Sequence, residues 1–222
     1  MDTRAGTIRA VAAEGLGTAG LLAAVVGSGI MGARLSGGNV AIALLANSLA
    51  TGGALVVLIA TLAPLSGAHF NPAVTAVQAW CGQLRWPVAF AYVAAQILGG
   101  IAGVVIAHAM FGEPLLALSH HARAGAAQMF SEGVATFGLL LLILGSERRP
   151  AEAVGAFVGL YIMAAYWFTS STSFANPAAT FARALTDTFT GISPASIPGF
   201  LFGQAAGGIG AVLVSGWLWP RK

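Results

Sequence analysis

Three short patterns occur twice in this chain, in the same order. Ala13-Glu14-Gly15 with Thr18 is matched by Ser131-Glu132-Gly133 with Thr136, 118 residues later. Asn71-Pro72-Ala73 is matched by Asn176-Pro177-Ala178, 105 residues later. Gln96-x-x-Gly99-Gly100-Ile101 is matched by Gln204-x-x-Gly207-Gly208-Ile209, 108 residues later. The chain is therefore an internal duplication, with repeat 1 at about 8–112 and repeat 2 at about 126–219. Each repeat holds three long apolar stretches, 10–33, 39–63 and 86–111 in the first and 127–144, 154–172 and 197–218 in the second. Each is long enough to cross about 30 Å of hydrocarbon as a helix. Lipid satisfies no backbone polar groups, and none of the stretches alternates as a barrel strand would, so all six are expected to be helical. An odd number of spans makes the second repeat enter the bilayer from the opposite side. The expected fold is thus an all-α membrane protein, one transmembrane domain over 1–222, built as an inverted 3+3 repeat.

Composition supports lipid as the surrounding solvent. Of the 222 residues 57% are hydrophobic and 8% are charged, against about 25% charged in soluble domains. Thirty glycines suit close helix approach in a membrane, where packing replaces the hydrophobic drive. The single cysteine, Cys81, excludes an intramolecular disulfide. Glu14 and Gly15 interrupt the first apolar stretch, so it is not expected to be a cleaved signal peptide. With both termini inside, the cytoplasmic cations are Arg4, Arg9, Arg85, Arg148, Arg149, Arg221 and Lys222, against Arg34, Arg123 and Arg183 outside. That asymmetry predicts cytoplasmic termini.

Two segments, 71–80 and 176–185, are too short to span. Each opens with Asn-Pro, a strong N-cap followed by a residue with no N–H to leave unpaired. Either one alone reads equally well as a surface loop with a short helix. Their matching places in the repeat predict two re-entrant half-helices that converge at the midplane.

At SGAHFNPAVT and SFANPAATFARAL the chain resembles the aquaporin, or major intrinsic protein, family. The resemblance implies a passive channel centred on Asn71, Pro72, Ala73, Asn176, Pro177 and Ala178. It also implies a homotetramer in a bacterial inner membrane, with the bilayer, water and small neutral solutes as partners. A helix N-terminus carries about half a positive charge and several free N–H groups. Two such ends at a pore centre repel cations and hydronium, and the Asn71 and Asn176 amides can orient a passing solute. The resemblance gives Glu14 and Glu132 a bracing role on the loops before the half-helices, with Gln96 and Gln204 in the matching elements of spans three and six. A helix-end charge at the interface and a proton-coupling role are the alternatives. His69 is implied to tether the first loop, with a pH gate as the alternative. His108, His120, His121 and Cys81 have no metal-ligand spacing, and His120-His121 reads as an exposed loop pair.

The chain departs from the family at Ala179, where most water and glycerol channels have Arg directly after the second motif. Arg183 lies one turn further, open to placement in the pore vestibule or against a neighbouring helix. Counting back from the two Asn residues puts the other filter positions at Thr51, Ala164 and Ser173. A ring of Thr51, Ala164, Ser173 and Ala179 has no aromatic, no His and no Arg. It predicts a wide pore for polyols and metalloid hydroxides, and it resembles bacterial aquaporins that pass arsenite and methylated arsenicals. The alternative is that Phe70, Phe174, Tyr166 or Arg183 fills the space and restores an ordinary water pore. A proton-coupled secondary transporter and a closed, junction-like protein are more remote readings. No nucleophile and base pair, metal cluster or basic patch is legible. An enzyme, a cofactor, a metal site and nucleic-acid binding are therefore not expected.

Overall fold

The computed structural model describes residues 4–220, and no strand occurs among them. Arg221 and Lys222 of the cytoplasmic set lie outside the described residues. Eight α-helices follow one another: α1 (Arg4–Leu35), α2 (Val40–Ser66), α3 (Pro72–Trp80), α4 (Trp86–Phe111), α5 (Ala126–Gly145), α6 (Ala151–Phe168), α7 (Pro177–Arg183) and α8 (Ile197–Leu218). Six of them, all but α3 and α7, are long and apolar enough to cross a membrane. Their ends carry local stop signals. Asn39 caps α2 by accepting the Ala41 and Ile42 N–H groups, and Gly67 closes it in the left-handed conformation, at φ +88°.

The expected and observed spans differ at the start of α1, which begins six residues earlier at Arg4, and at both ends of α6. It starts directly after Pro150 and has left helical geometry at Thr169, not at 172. The run Thr169-Ser170-Ser171-Thr172-Ser173 is instead the connection that turns down into α7. Ser and Thr side chains compete for backbone hydrogen bonds and favour such turns.

The two repeats pack alike. α1 lies on α4 in the first repeat and α5 lies on α8 in the second, while α1–α2 and α2–α6 contacts complete the bundle. The short helices α3 and α7 both sit between α4 and α8. The close approaches are made by the duplicated glycines. A Cβ on Gly99 would overlap the Gly15 carbonyl, and a Cβ on Gly207 would overlap the Gly133 carbonyl. The surface is apolar: Leu98, Phe130 and Leu213 are 68%, 74% and 69% exposed. The interior holds Glu14, Gln96, Glu132, Gln204 and Arg183, each no more than 2% exposed. Apolar outside and polar inside suits a multi-pass protein whose solvent is hydrocarbon and whose centre must be hydrogen-bonded.

Gly207→Val should therefore be among the most damaging single changes, because the group its Cβ meets is backbone and cannot rotate away. Overpacking costs about 1–3 kcal/mol or more. Thermal unfolding in detergent should show a clear fall in midpoint for Gly207→Val. Gly53→Ala, whose added Cβ would meet nothing, should leave it level or slightly raised.

Candidate functional site

The site is built on two strained loops. Before α3, Gly67, Ala68 and Phe70 have φ of +88°, +53° and +49°. Before α7, Thr172, Ser173 and Ala175 have φ of +60°, +49° and +45°. The three positions of each loop correspond one to one, at the same spacing of 105 as the Asn-Pro-Ala motifs. A left-handed conformation costs a residue with a Cβ about 1–3 kcal/mol and persists only where its surroundings enforce it.

Two buried glutamates enforce it here. The Glu14 side chain accepts the backbone N–H of His69 at 2.9 Å and of Phe70 at 2.7 Å. It also accepts the Ser66 hydroxyl at 2.7 Å and the Gln96 amide at 2.8 Å. Glu132 accepts Phe174 N–H at 2.8 Å, Ala175 N–H at 2.9 Å and the Gln204 amide at 2.7 Å. Each glutamine amide donates a second time, Gln96 to Thr75 Oγ1 at 2.9 Å and Gln204 to Thr180 Oγ1 at 3.0 Å. The His69 ring Nδ1 lies 3.1 Å from Thr75 Oγ1, and the ring stands edge-on to Tyr92. Thr75 and Thr180 escaped the sequence reading. Each lies four residues after its Asn, so extending the repeat comparison by one turn exposes them.

The two Asn side chains then lock the half-helices together. Asn71 accepts Ala73 N–H at 2.9 Å and donates to the Ala175 carbonyl at 2.7 Å. Asn176 accepts Ala178 N–H at 3.0 Å and donates to the Phe70 carbonyl at 2.9 Å. Each amide has two hydrogens, and this reciprocal pair uses one of each. Both Asn residues border a cavity of about 480 Å³, which runs from Arg148 and Arg149 at one end to Phe174 and Arg183 at the other. Two helix N-termini thus face one cavity.

The filter positions need a correction. Thr51, Ser173 and Ala179 line the cavity, but Ala164 does not; it is exposed on the outer surface. The cavity face of α6 is Val154, Val158, Ile162 and Tyr166, one residue per turn. Ala164 is two residues from either of the last two, on the opposite side of the helix. Counting back from Asn176 fails because α6 ends at Phe168 and the phase of that helix, not the count, decides what faces inward. The ring is therefore not free of aromatic or basic groups. Tyr166 hydroxyl and Thr51 Oγ1 are 3.2 Å apart, and Arg183 lines the same cavity.

Arg183 is 2% exposed. Its guanidinium lies 3.4 Å from the Phe174 ring centroid, and its Nε donates to the Thr190 carbonyl at 2.5 Å. Arg123, from the α4–α5 connection, sits 5.2 Å from the same ring and donates to the Gly191 carbonyl at 2.8 Å. Phe70 borders the cavity too, with its ring packed where a Cβ on Gly17 would stand. The α4–α5 connection is tied over the end of α7 by Ser119 N–H to the Ala184 carbonyl at 3.0 Å and His120 N–H to Asp187 at 2.8 Å. The His120 N–H bond, with the His120 ring beside it, holds the exposed Asp187 carboxyl below the usual range. That tether is therefore complete at neutral pH and is lost as pH falls through the lowered value. His120 and His121 are an exposed pair in the α4–α5 connection, as expected, and both flank Asp187, while His108 is buried against Thr186 at 2.7 Å. Among the described residues no three His, Cys, Asp or Glu side chains gather to hold a metal.

The family model for major intrinsic proteins matches residues 2–170. The chain belongs to the major intrinsic protein family. It is 54% identical over 157 residues to the aquaglyceroporin AqpS of Rhizobium meliloti, an alignment covering 71% of this chain and 67% of that protein. It is 35% identical over 151 residues to aquaporin NIP1-3 of Oryza sativa, covering 64% of this chain and 52% of that one. Its fold superposes on the aquaglyceroporin of Plasmodium falciparum with a TM-score of 0.72 at 22% identity, covering 95% of each chain. In this aquaporin fold the paired glutamates, glutamines and threonines stand behind the half-helices and outside the cavity lining.

An acceptor-only group is required at position 132. Glutamine there would aim an NH₂ at donors, leaving buried N–H groups unpaired at about 1–3 kcal/mol each. Glu132→Gln should lower thermal stability in detergent nearly as much as Glu132→Ala; a neutral Glu132→Gln would refute the bracing geometry.

Proposed function

We propose that the chain is a passive channel for small uncharged solutes: water, polyols such as glycerol, and metalloid hydroxides such as arsenous acid, with methylated arsenicals in the same class. The observation that carries this is the cavity of about 480 Å³ bordered by both Asn amides. A solute hydroxyl can accept the second hydrogen of Asn71 and then of Asn176, while the two helix ends oppose cations. Asn71-Pro72-Ala73 and Asn176-Pro177-Ala178 are the pore centre in this reading. Glu14, Glu132, His69, Gln96 and Gln204 are its supports. Thr51, Tyr166, Ser173 and Ala179 form the constriction.

Width is argued from Ala179. It lines the cavity on the first turn of α7, and its methyl leaves the space that a long side chain would fill. The similarity to a protein named as an aquaglyceroporin supports a solute larger than water. A second reading, a water-selective channel, draws on Tyr166, whose hydroxyl meets Thr51 in the lining. The cation asymmetry supports cytoplasmic termini, and the similarity to a rhizobial protein supports a bacterial inner membrane. The family resemblance supports a homotetramer with one pore per subunit.

Reconstituted vesicles decide between the readings. Stopped-flow swelling should show glycerol entry, and arsenite uptake should exceed that of protein-free vesicles; failure of both with water flux retained would select the water channel. Ala179→Arg should lower glycerol entry relative to water by about tenfold, a barrier of about 1.4 kcal/mol. An unchanged ratio would mean that residue 179 is not at the constriction.

A further inference from the structure

Arg183 is a buried cation without a counter-ion: it takes part in no salt bridge among the described residues. Burying an unpaired charge is costly, so its surroundings must hold it in place. Three features do so. The guanidinium carbon lies over the Phe174 ring, 3.4 Å from the centroid, a cation–π contact. Its Nε is bonded to the Thr190 carbonyl. Phe174 itself is wedged edge-on against Phe200 at 5.0 Å, and its backbone N–H is anchored to Glu132.

What is held is a donor with unspent capacity. A guanidinium has five N–H bonds, and the described hydrogen bonds use only that of Nε. Arg183 and Ala179 are four residues apart on α7 and both line the cavity, so they share a face one turn apart. Ser173 borders the cavity beside Phe174, and its buried hydroxyl has no protein partner. The α7 end of the cavity lining thus holds the Arg183 charge, four N–H bonds with no described partner and one unpaired hydroxyl, with the Arg123 guanidinium on the same ring but outside the lining.

We propose that Arg183, one turn beyond Ala179, sets charge discrimination in this pore: its stacked guanidinium rejects cations and donates to neutral hydroxyl- or amide-bearing solutes. This rests on the channel reading of the same cavity. Width and charge are thereby separated along α7. Ala179 leaves room in the first turn, and the charge stands back in the second, held away from the axis by Phe174. A charge so placed still acts across a few ångströms of poorly screened space, without filling the constriction.

Urea and guanidinium have the same planar shape and differ by one charge, so their entry ratio into vesicles isolates the effect. The wild-type protein should admit urea and exclude guanidinium. Arg183→Gln should raise the guanidinium-to-urea ratio by about tenfold or more, with urea entry still above protein-free vesicles. An unchanged ratio under that condition overturns the proposal, as does a wild-type pore that passes guanidinium as fast as urea. If Arg183→Gln does not reach the membrane, Phe174→Leu removes the stacking face and keeps the charge. It should raise the ratio by about threefold, and no rise overturns the proposal. A wild-type protein that passes neither urea nor glycerol refutes the channel reading itself, a result distinct from any change in ratio.

Discussion

Everything at the centre of this protein depends on two buried glutamates that accept backbone N–H groups. Without Glu14 and Glu132, the loops at 67–70 and 172–175 have no reason to hold left-handed geometry at Ala68, Phe70, Thr172, Ser173 and Ala175. Neighbouring helices cannot supply the missing acceptors, because their own backbone groups are already paired. A carboxylate is suited to the task because it is small, has two oxygens and only accepts. Charge-assisted bonds are the strong ones, and each glutamate makes at least three bonds shorter than 3 Å. They offset the strain of the loops and fix the direction in which α3 and α7 start.

From that direction the rest follows. Each loop delivers an Asn to the N-terminus of a half-helix, and each Asn donates to a carbonyl of the other loop. The two repeats therefore close on each other through their most strained residues, and a shift in one is felt in the other. The glycine contacts of α1 with α4 and of α5 with α8 bring the bracing helices close enough for Glu14 and Glu132 to reach their targets. The polar apparatus stays behind the half-helices. What faces the cavity is largely apolar side chains, with the Asn71 and Asn176 amides at the half-helix starts, Arg148 and Arg149 at one end and, at the other, a cation set on an aromatic ring.

Most of the fold is legible in the sequence because duplication and hydropathy are redundant signals. Three motif pairs fix the inversion, and six apolar runs fix the spans. A carboxylate in an apolar span marks Glu14 and Glu132 as functional, but their bracing role is legible only through the family resemblance. The constriction is less legible. Which residue of α6 faces inward depends on where that helix ends, and a run of Ser and Thr does not announce a stop as Gly or Pro does. A two-residue difference in phase moves the inward position from Ala164 to Tyr166 and swaps a methyl for a phenol. Arg183 is ambiguous for a related reason. Its position on the half-helix is readable, but the ring that holds it, Phe174, belongs to a loop whose left-handed path no local propensity predicts. Arg123 reaches that ring from another connection altogether, through tertiary contacts that sequence spacing does not encode.

The central claim is that solute crosses without coupled proton movement. Coupling would need an ionisable group that exchanges its proton with the pathway. Glu14 and Glu132 are instead turned to backbone N–H groups, and neither lines the cavity; of the ionisable groups that do, His69 is held against Thr75 and Glu147 adjoins Arg148 and Arg149. The direct test records swelling and internal pH together in the same vesicles, with a trapped pH-sensitive dye, as glycerol enters down its gradient. The account predicts full swelling with no change in internal pH, and an entry rate indifferent to an imposed pH gradient. Proton movement in step with glycerol, or uptake driven by the pH gradient, would contradict it.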